Sequence, residues 1–224
     1  MSPPIETVLF DLDGTLVEYE QPADEVLAAS FDGVGVEPFF DVSQWYARYE
    51  EFLSPGQTVS ETRERAFAAL ADEAGYAAET GRAVGRAYED VRDHSRVTLL
   101  PGATAILDAV AGDYRLGLIT NGPPEMQDQK LDGAGIREYF ETVVYAGYES
   151  PAKPSPEPFY RAFDALDATP EGSVYVGNSL AADVAGANAA GCRSVWVPAD
   201  PGVRPDPAPD WAVAGLDGLL PVPW

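Results

Sequence analysis

Residues 8–17 read VLFDLDGTLV. Three large apolar residues lead into two aspartates, Asp11 and Asp13, that flank a single leucine, and the run breaks at Gly14 and Thr15. A segment apolar almost throughout predicts a strand, here 7–13, covered on both faces as in a parallel sheet. Residues two apart on a strand share a face, so Asp11 and Asp13 are expected to point the same way. Two carboxylates closing such a strand pose a chemical question, because neighbouring carboxylates repel and raise each other's pKa unless a cation neutralises them.

The rest of the chain supplies partners for that strand. YRLGLIT (114–120), ETVVYAG (141–147), SVYVG (173–177) and SVWVP (194–198) read as further strands. Between them, 103–111, 124–134, 155–167 and 180–190 carry the apolar spacing and small residues of helices. Strands alternating with helices predict an α/β fold, a doubly wound parallel sheet with helices on both faces. Residues 17–96 differ. The stretches 23–31, 42–53, 61–75 and 78–94 all have helical patterns, broken at DGVGVEP and at SPGQ (54–57), and no strand is evident. The expected organisation is therefore a core of 1–16 and 97–224 with an all-helical insertion at 17–96, placed as a cap over the sheet's carboxyl edge. The proline-rich tail predicts an extended crossing, a short edge strand at 211–213 and a last helical turn.

Composition narrows the function. Fourteen basic residues against 37 acidic ones give a net charge of −23, and only Lys130 and Lys153 are lysines. Such a field repels nucleic acid and anionic membranes, so neither is an expected partner. No apolar run is long enough for a membrane span, and the start MSPPIETV lacks a basic segment followed by a long apolar stretch, so a soluble, cytoplasmic protein is expected. The single cysteine, Cys192, forms no internal disulfide and reads as a small buried apolar residue. The only histidine, His94, sits among charged residues and reads as a surface or helix-end group. Trp45, Tyr49 and Phe52 fall at i, i+4 and i+7, the spacing of a core stripe.

Ligands of open α/β sheets bind outside the carboxyl ends of the strands, so the residues just past each strand are the candidates for chemistry. The first strand ends in Asp11, Asp13, Gly14 and Thr15; GLIT ends in Thr120, Asn121 and Gly122; VYVG leads into Asn178 and, further on, Asp183. Lys153 lies in SPAKPSPEPF, after the strand at 141–147. Three carboxylates, one lysine and several hydroxyl or amide groups are thus expected on one rim. Hard oxygen donors with room for water suit Mg²⁺, and the metal, the lysine, Thr120 and backbone N–H groups would cradle a phosphoryl group.

The segments DLDGT, ITNG, KPSPEPF and VGNSLAADVAGA resemble, in order, the four motifs of the haloacid dehalogenase superfamily, whose helical cap is inserted where 17–96 falls. The resemblance covers 5–16 and 97–200 and implies a Mg²⁺-dependent phosphomonoester hydrolase. Asp11 would be the nucleophile that forms an aspartyl-phosphate, and Asp13 the general acid and then base, its main-chain carbonyl also ligating Mg²⁺. Thr120 would bond the phosphoryl oxygens with the Asn121 backbone, Gly122, Gly14 and Thr15 beside it. Lys153 would neutralise charge, and Asn178 and Asp183 would complete or orient the metal shell. Asn178 departs from the aspartate common among the family's phosphatases. ITNG followed by QDQKLDGAGIREYF most resembles the members acting on nucleotides and small sugar phosphates, so the expected partner is a small phosphorylated metabolite. The alternatives are a 2-haloacid dehalogenase and a non-catalytic phosphate- or metal-binding regulator. A monomer is the default expectation, a homodimer the alternative. No lysine occurs in 17–96, so the cap lysine of the family's phosphonate-cleaving members has no counterpart, and cap contacts to an anion would fall to Arg48, Arg63, Arg65, Arg82, Arg86 or Arg92.

The acid excess and lysine scarcity together predict a salt-adapted protein. Its thermal midpoint is expected to rise from dilute buffer to molar KCl, and an unchanged midpoint removes that reading.

Overall fold

Consecutive strand residues face opposite sides of a sheet, and the first strand uses both sides. Val8 and Phe10 enter one hydrophobic cluster and Leu9 another, all fully buried. The computed structural model describes residues 3–52, 58–198 and 202–224. In chain order β1 (Thr7–Phe10) and β2 (Val17–Tyr19) lead into α1 (Ala23–Val34), α2 (Val42–Arg48), α3 (Val59–Glu73) and α4 (Ala78–Val91). The chain returns through β3 (Val97–Leu99), α5 (Ala103–Val110), β4 (Arg115–Asn121), α6 (Pro124–Ala134), β5 (Thr142–Ala146), α7 (Glu157–Ala165) and β6 (Ser173–Gly177). A π-helical turn, Leu180–Val184, runs into α8 (Ala185–Ala190), and β7 (Arg193–Trp196) and β8 (Trp211–Ala212) complete the order.

Six strands pair in the order β5-β4-β1-β6-β7-β8, every pairing parallel. The chain winds outward from β1 through β4 to β5, then crosses to β6 on the other side. That reversal defines the crevice at the carboxyl ends of β1, β4 and β6. Ile106, Leu107 and Val110 of α5 and Leu131 of α6 cover one face, while Phe159 and Phe163 of α7 and Ala187 of α8 cover the other. The fold is the doubly wound α/β sheet expected from the alternating pattern. Cys192 is buried, its thiol pushed up to about 12 by burial, which suits a core residue and not a nucleophile.

Three sequence expectations change. β1 stops at Phe10, so Asp11 and Asp13 lie past the strand instead of ending it. Val17–Tyr19 is not helical: it pairs antiparallel with Val97–Leu99, a strand missed because three residues are too few to show a period. The chain accordingly divides at Tyr19 and His94, with Glu20–Asp93 as a separate helical unit. His94 is buried and not on the surface, its Nδ1 2.6 Å from the Tyr19 hydroxyl of β2.

The helical unit has its own core of Val26, Phe31, Phe40, Trp45, Phe67, Val84 and Tyr88. Asp41 with Gln44 and Thr58 with Glu61 close capping boxes at the starts of α2 and α3, satisfying otherwise orphaned N–H groups. Trp45 is buried with Tyr49 and Phe52 packed against that core, as the stripe implied, whereas Tyr46 is exposed. The break read at Ser54–Gln57 and residues 199–201 of the tail lie outside the described residues. Among the described residues no helix is long and apolar enough to cross a membrane.

Candidate active site

A lysine ammonium with almost no access to water organises the rim. Lys153 is 5% exposed, and its Nζ lies 2.7 Å from Asp11 Oδ1, 2.7 Å from Asp183 Oδ1, 2.7 Å from the Tyr175 hydroxyl and 3.0 Å from the Ile119 carbonyl. Burial opposes its charge, but Asp11 and Asp183 more than compensate and hold the ammonium above its ordinary pKa. Asn121 anchors the loop that carries it: the amide oxygen accepts from the Lys153 backbone N–H at 2.9 Å and the amide nitrogen donates to the Lys153 carbonyl at 3.2 Å.

Asp11 is 6% exposed, and its pKa is pushed up to about 7. Burial is the main cause, and the nearby carboxylates of Asp183 and Asp13 add to it against the opposing pull of Lys153. Its Oδ2 accepts from the Thr15 hydroxyl at 3.0 Å, and the same hydroxyl lies 3.4 Å from Asn178 Oδ1. Thr15 is fully buried and orients these two oxygens from behind. Gly14, at φ +76°, lies against the Asn178 amide, where a side chain would collide.

Asp11, Asp13, Thr120, Asn121, Lys153, Asn178, Ser179, Ala182 and Asp183 line one pocket of about 170 Å³. Seven of the ten residues singled out in the sequence thus meet there, while Gly14, Thr15 and Gly122 sit outside the lining. Gly122 makes room for the Gln127 side chain, whose Nε2 would be 2.7 Å from an added Cβ.

Asp11 and Asp13 line the same pocket but take separate partners. Asp13 is held by Lys130, at 2.7 Å to Oδ1 and 2.8 Å to Oδ2, and by Gln127 Nε2 at 2.9 Å. Lys130, Gln127 and Tyr175 were not singled out in the sequence. The available signal was a lysine on the same helical face as Gln127, next to core-facing Leu131, in a chain with only two lysines.

Among the described residues no three His, Cys, Asp or Glu side chains form a metal cage. Asp183 lines the pocket, and one of its oxygens accepts from Lys153 Nζ while the other accepts from the Ser179 N–H at 2.8 Å. Asp11 Oδ2 and Asn178 Oδ1, both within reach of the Thr15 hydroxyl, are hard oxygen donors on the pocket. One carboxylate with neutral oxygens fits Mg²⁺, which keeps several waters, and a cation there would stabilise the buried Asp11 charge.

The family model described as haloacid dehalogenase-like hydrolase matches residues 5–191. A phosphoserine phosphatase of Thermus thermophilus is 40% identical over 158 residues, covering 69% of this chain and 62% of that protein. The chain thus spans about three fifths of that relative's length. The magnesium-bound HAD-hydrolase YfnB of Bacillus subtilis superposes with a TM-score of 0.77 at 23% identity, covering 98% of this chain and 99% of that one. A 2-haloacid dehalogenase from Pseudomonas syringae superposes with a TM-score of 0.70 at 27% identity, covering 97% and 96%.

A carboxyl whose pKa is raised by folding binds its proton more tightly in the native state. The stability it contributes is therefore present below the unfolded value of 3.8 and lost as pH rises towards about 7. Asp11→Asn removes that slope and leaves Lys153 paired with Asp183. In urea without divalent cations, Asp11→Asn is expected to exceed the parent by about 1–4 kcal/mol at about pH 8, the gap closing near about pH 4.

Proposed function

The chain belongs to the haloacid dehalogenase-like hydrolases, and within that family we propose that it hydrolyses small phosphate monoesters through an aspartyl-phosphate on Asp11. The observation that carries this reading is Asp13, a partly exposed carboxylate lining the same pocket as Asp11 and Lys153. An ester oxygen leaving as an alkoxide needs a proton, whereas a departing halide does not. The likeness to a phosphoserine phosphatase supports the same chemistry.

In the proposed reaction a carboxylate oxygen of Asp11 attacks phosphorus while the bond from phosphorus to the alcohol oxygen breaks. Protonated Asp13 gives its proton to that oxygen, and the alcohol leaves. Asp13, now ionised, takes a proton from water as the water oxygen attacks the aspartyl-phosphate, which releases phosphate and restores Asp11. Lys153 keeps Asp11 oriented and offsets the phosphoryl charge, and Thr120 and the Asn121 backbone hydrogen-bond the phosphoryl oxygens. Mg²⁺, held by Asp11, Asn178 and the main-chain oxygen of Asp13, would supply further positive charge at the phosphoryl group. The magnesium bound to the Bacillus relative supports that choice of ion. Nucleotides, sugar phosphates and phosphoserine are the substrate classes proposed, in a cytoplasmic, salt-adapted, monomeric enzyme.

The test is phosphate release from a phosphomonoester panel and from 4-nitrophenyl phosphate in molar KCl, with and without Mg²⁺. Turnover is expected to require Mg²⁺ and to fall by about three orders of magnitude or more in Asp11→Asn. Turnover that survives in Asp11→Asn defeats the mechanism. Halide release from 2-chloropropionate, without phosphate release, establishes the dehalogenase reading that the Pseudomonas likeness favours. Asn178→Asp, which adds a negative ligand, is expected to bind Mg²⁺ more tightly than the parent.

A further inference from the structure

Asp13 must hold one direction to hand a proton to a single oxygen, yet its side chain is 42% exposed and stands beyond the end of β1. Two side chains from α6, three residues apart and hence on one helical face, fix it. Lys130 is 4% exposed and spans both carboxylate oxygens, and its ammonium rests 4.8 Å from the centre of the Tyr19 ring. The Tyr19 hydroxyl is in turn bonded to His94, so the lysine is supported through β2 and the residue that leads towards β3. Gln127 is 1% exposed, and its amide nitrogen donates to Asp13 Oδ2 at 2.9 Å and to Thr120 Oγ1 at 2.6 Å.

The same amide nitrogen lies 3.4 Å from the Asn121 carbonyl, and all three of its acceptors belong to residues that line the pocket. Because Thr120 accepts from Gln127, its own single hydrogen is left for another acceptor, and the pocket is where one would sit. Three contacts on Asp13 leave its carboxyl room for one more, on the pocket side. Holding a flexible acid in one rotamer before substrate arrives removes an ordering cost from the transition state.

We infer that Gln127 and Lys130 are positioning residues for proton delivery, setting the Asp13 carboxyl against the leaving oxygen of the phosphate ester while the Thr120 hydroxyl, tied to it through Gln127, meets a phosphoryl oxygen. This rests on the phosphatase reading of Asp11 and Asp13. The residues act on the step in which the phosphorus–oxygen bond breaks and the Asp13 proton passes to the departing alcohol oxygen, and they do not contact the substrate.

The readout is kcat/KM, which covers steps through formation of the aspartyl-phosphate, for two esters that differ in their need for a proton. An alkyl phosphate leaves poorly without one, and 4-nitrophenyl phosphate leaves readily. Lys130→Met and Gln127→Met, which keep the apolar volume, are expected to lower kcat/KM for the alkyl ester by about 10²-fold and for the aryl ester by only about threefold. Asp13→Asn should show the same selectivity, and Lys130→Met added to Asp13→Asn should cost nothing further. Lys130→Arg, which can still bridge both oxygens, should recover most of the alkyl activity. Equal losses on both esters in the two methionine variants, with Asp13→Asn still selective, overturn the positioning role and leave the phosphatase reading standing. An Asp13→Asn enzyme without the selectivity overturns the acid assignment and this inference with it.

Discussion

The site depends on one buried cation. Lys153 gathers a carboxylate from the end of β1, a carboxylate from the turn after β6, a phenol from within β6 and a carbonyl from β4. Three segments far apart in sequence, around Asp11, Ile119 and Tyr175–Asp183, are thereby held around a single nitrogen. Withdrawing such charges from water costs several kcal/mol per ion, and that is recovered only where geometry and hydrogen bonding are good. Burial is the main cause of the raised pKa of Asp11, and the second carboxylate on the same ammonium adds to it. The rim is built short of positive charge, which is the state expected of a site that receives a cation.

A second lysine repeats the arrangement on a smaller scale. Lys130 takes Asp13 as Lys153 takes Asp11, so two aspartates two residues apart are drawn to different ammonium groups. The pairs differ in burial. Asp11 is sealed against Lys153, while Asp13 keeps water on one side. In the proposed mechanism Asp11 needs a fixed oxygen to attack with, and Asp13 needs contact with the solvent that supplies and removes its proton. In a chain with only two lysines, both stand at this rim.

Legibility followed the strength of the physical signal. Strands buried on both faces were readable because Val8, Leu9 and Phe10, or Val174, Tyr175 and Val176, have no polar alternation to confuse them. Residues just past strand ends were readable as rim groups because the sheet's topology puts them there. What escaped was anything defined by contact alone. Tyr175 reads as one more apolar strand residue until its hydroxyl is seen against Lys153. Lys130 and Gln127 lie inside a helix whose polar residues are otherwise mostly solvated, and only packing tells the buried ones apart. Thr15 stands outside the pocket lining and the Asn121 side chain turns to the Lys153 backbone, since sequence gives the neighbourhood of a side chain and not its direction.

The place of β1 at the middle of the sheet governs the order in which the protein can be made. Its two neighbours pair with it through Arg115–Leu118 and Ser173–Val176, so this strand waits for segments made much later. The helical unit from Glu20 to Asp93 depends on contacts within its own span and can assemble as it leaves the ribosome. The core must meanwhile close loops of about one hundred residues or more, a slow and entropically costly step. The central strand, with the aspartates just beyond it, is therefore synthesised before every strand it pairs with and is among the last elements to find its place.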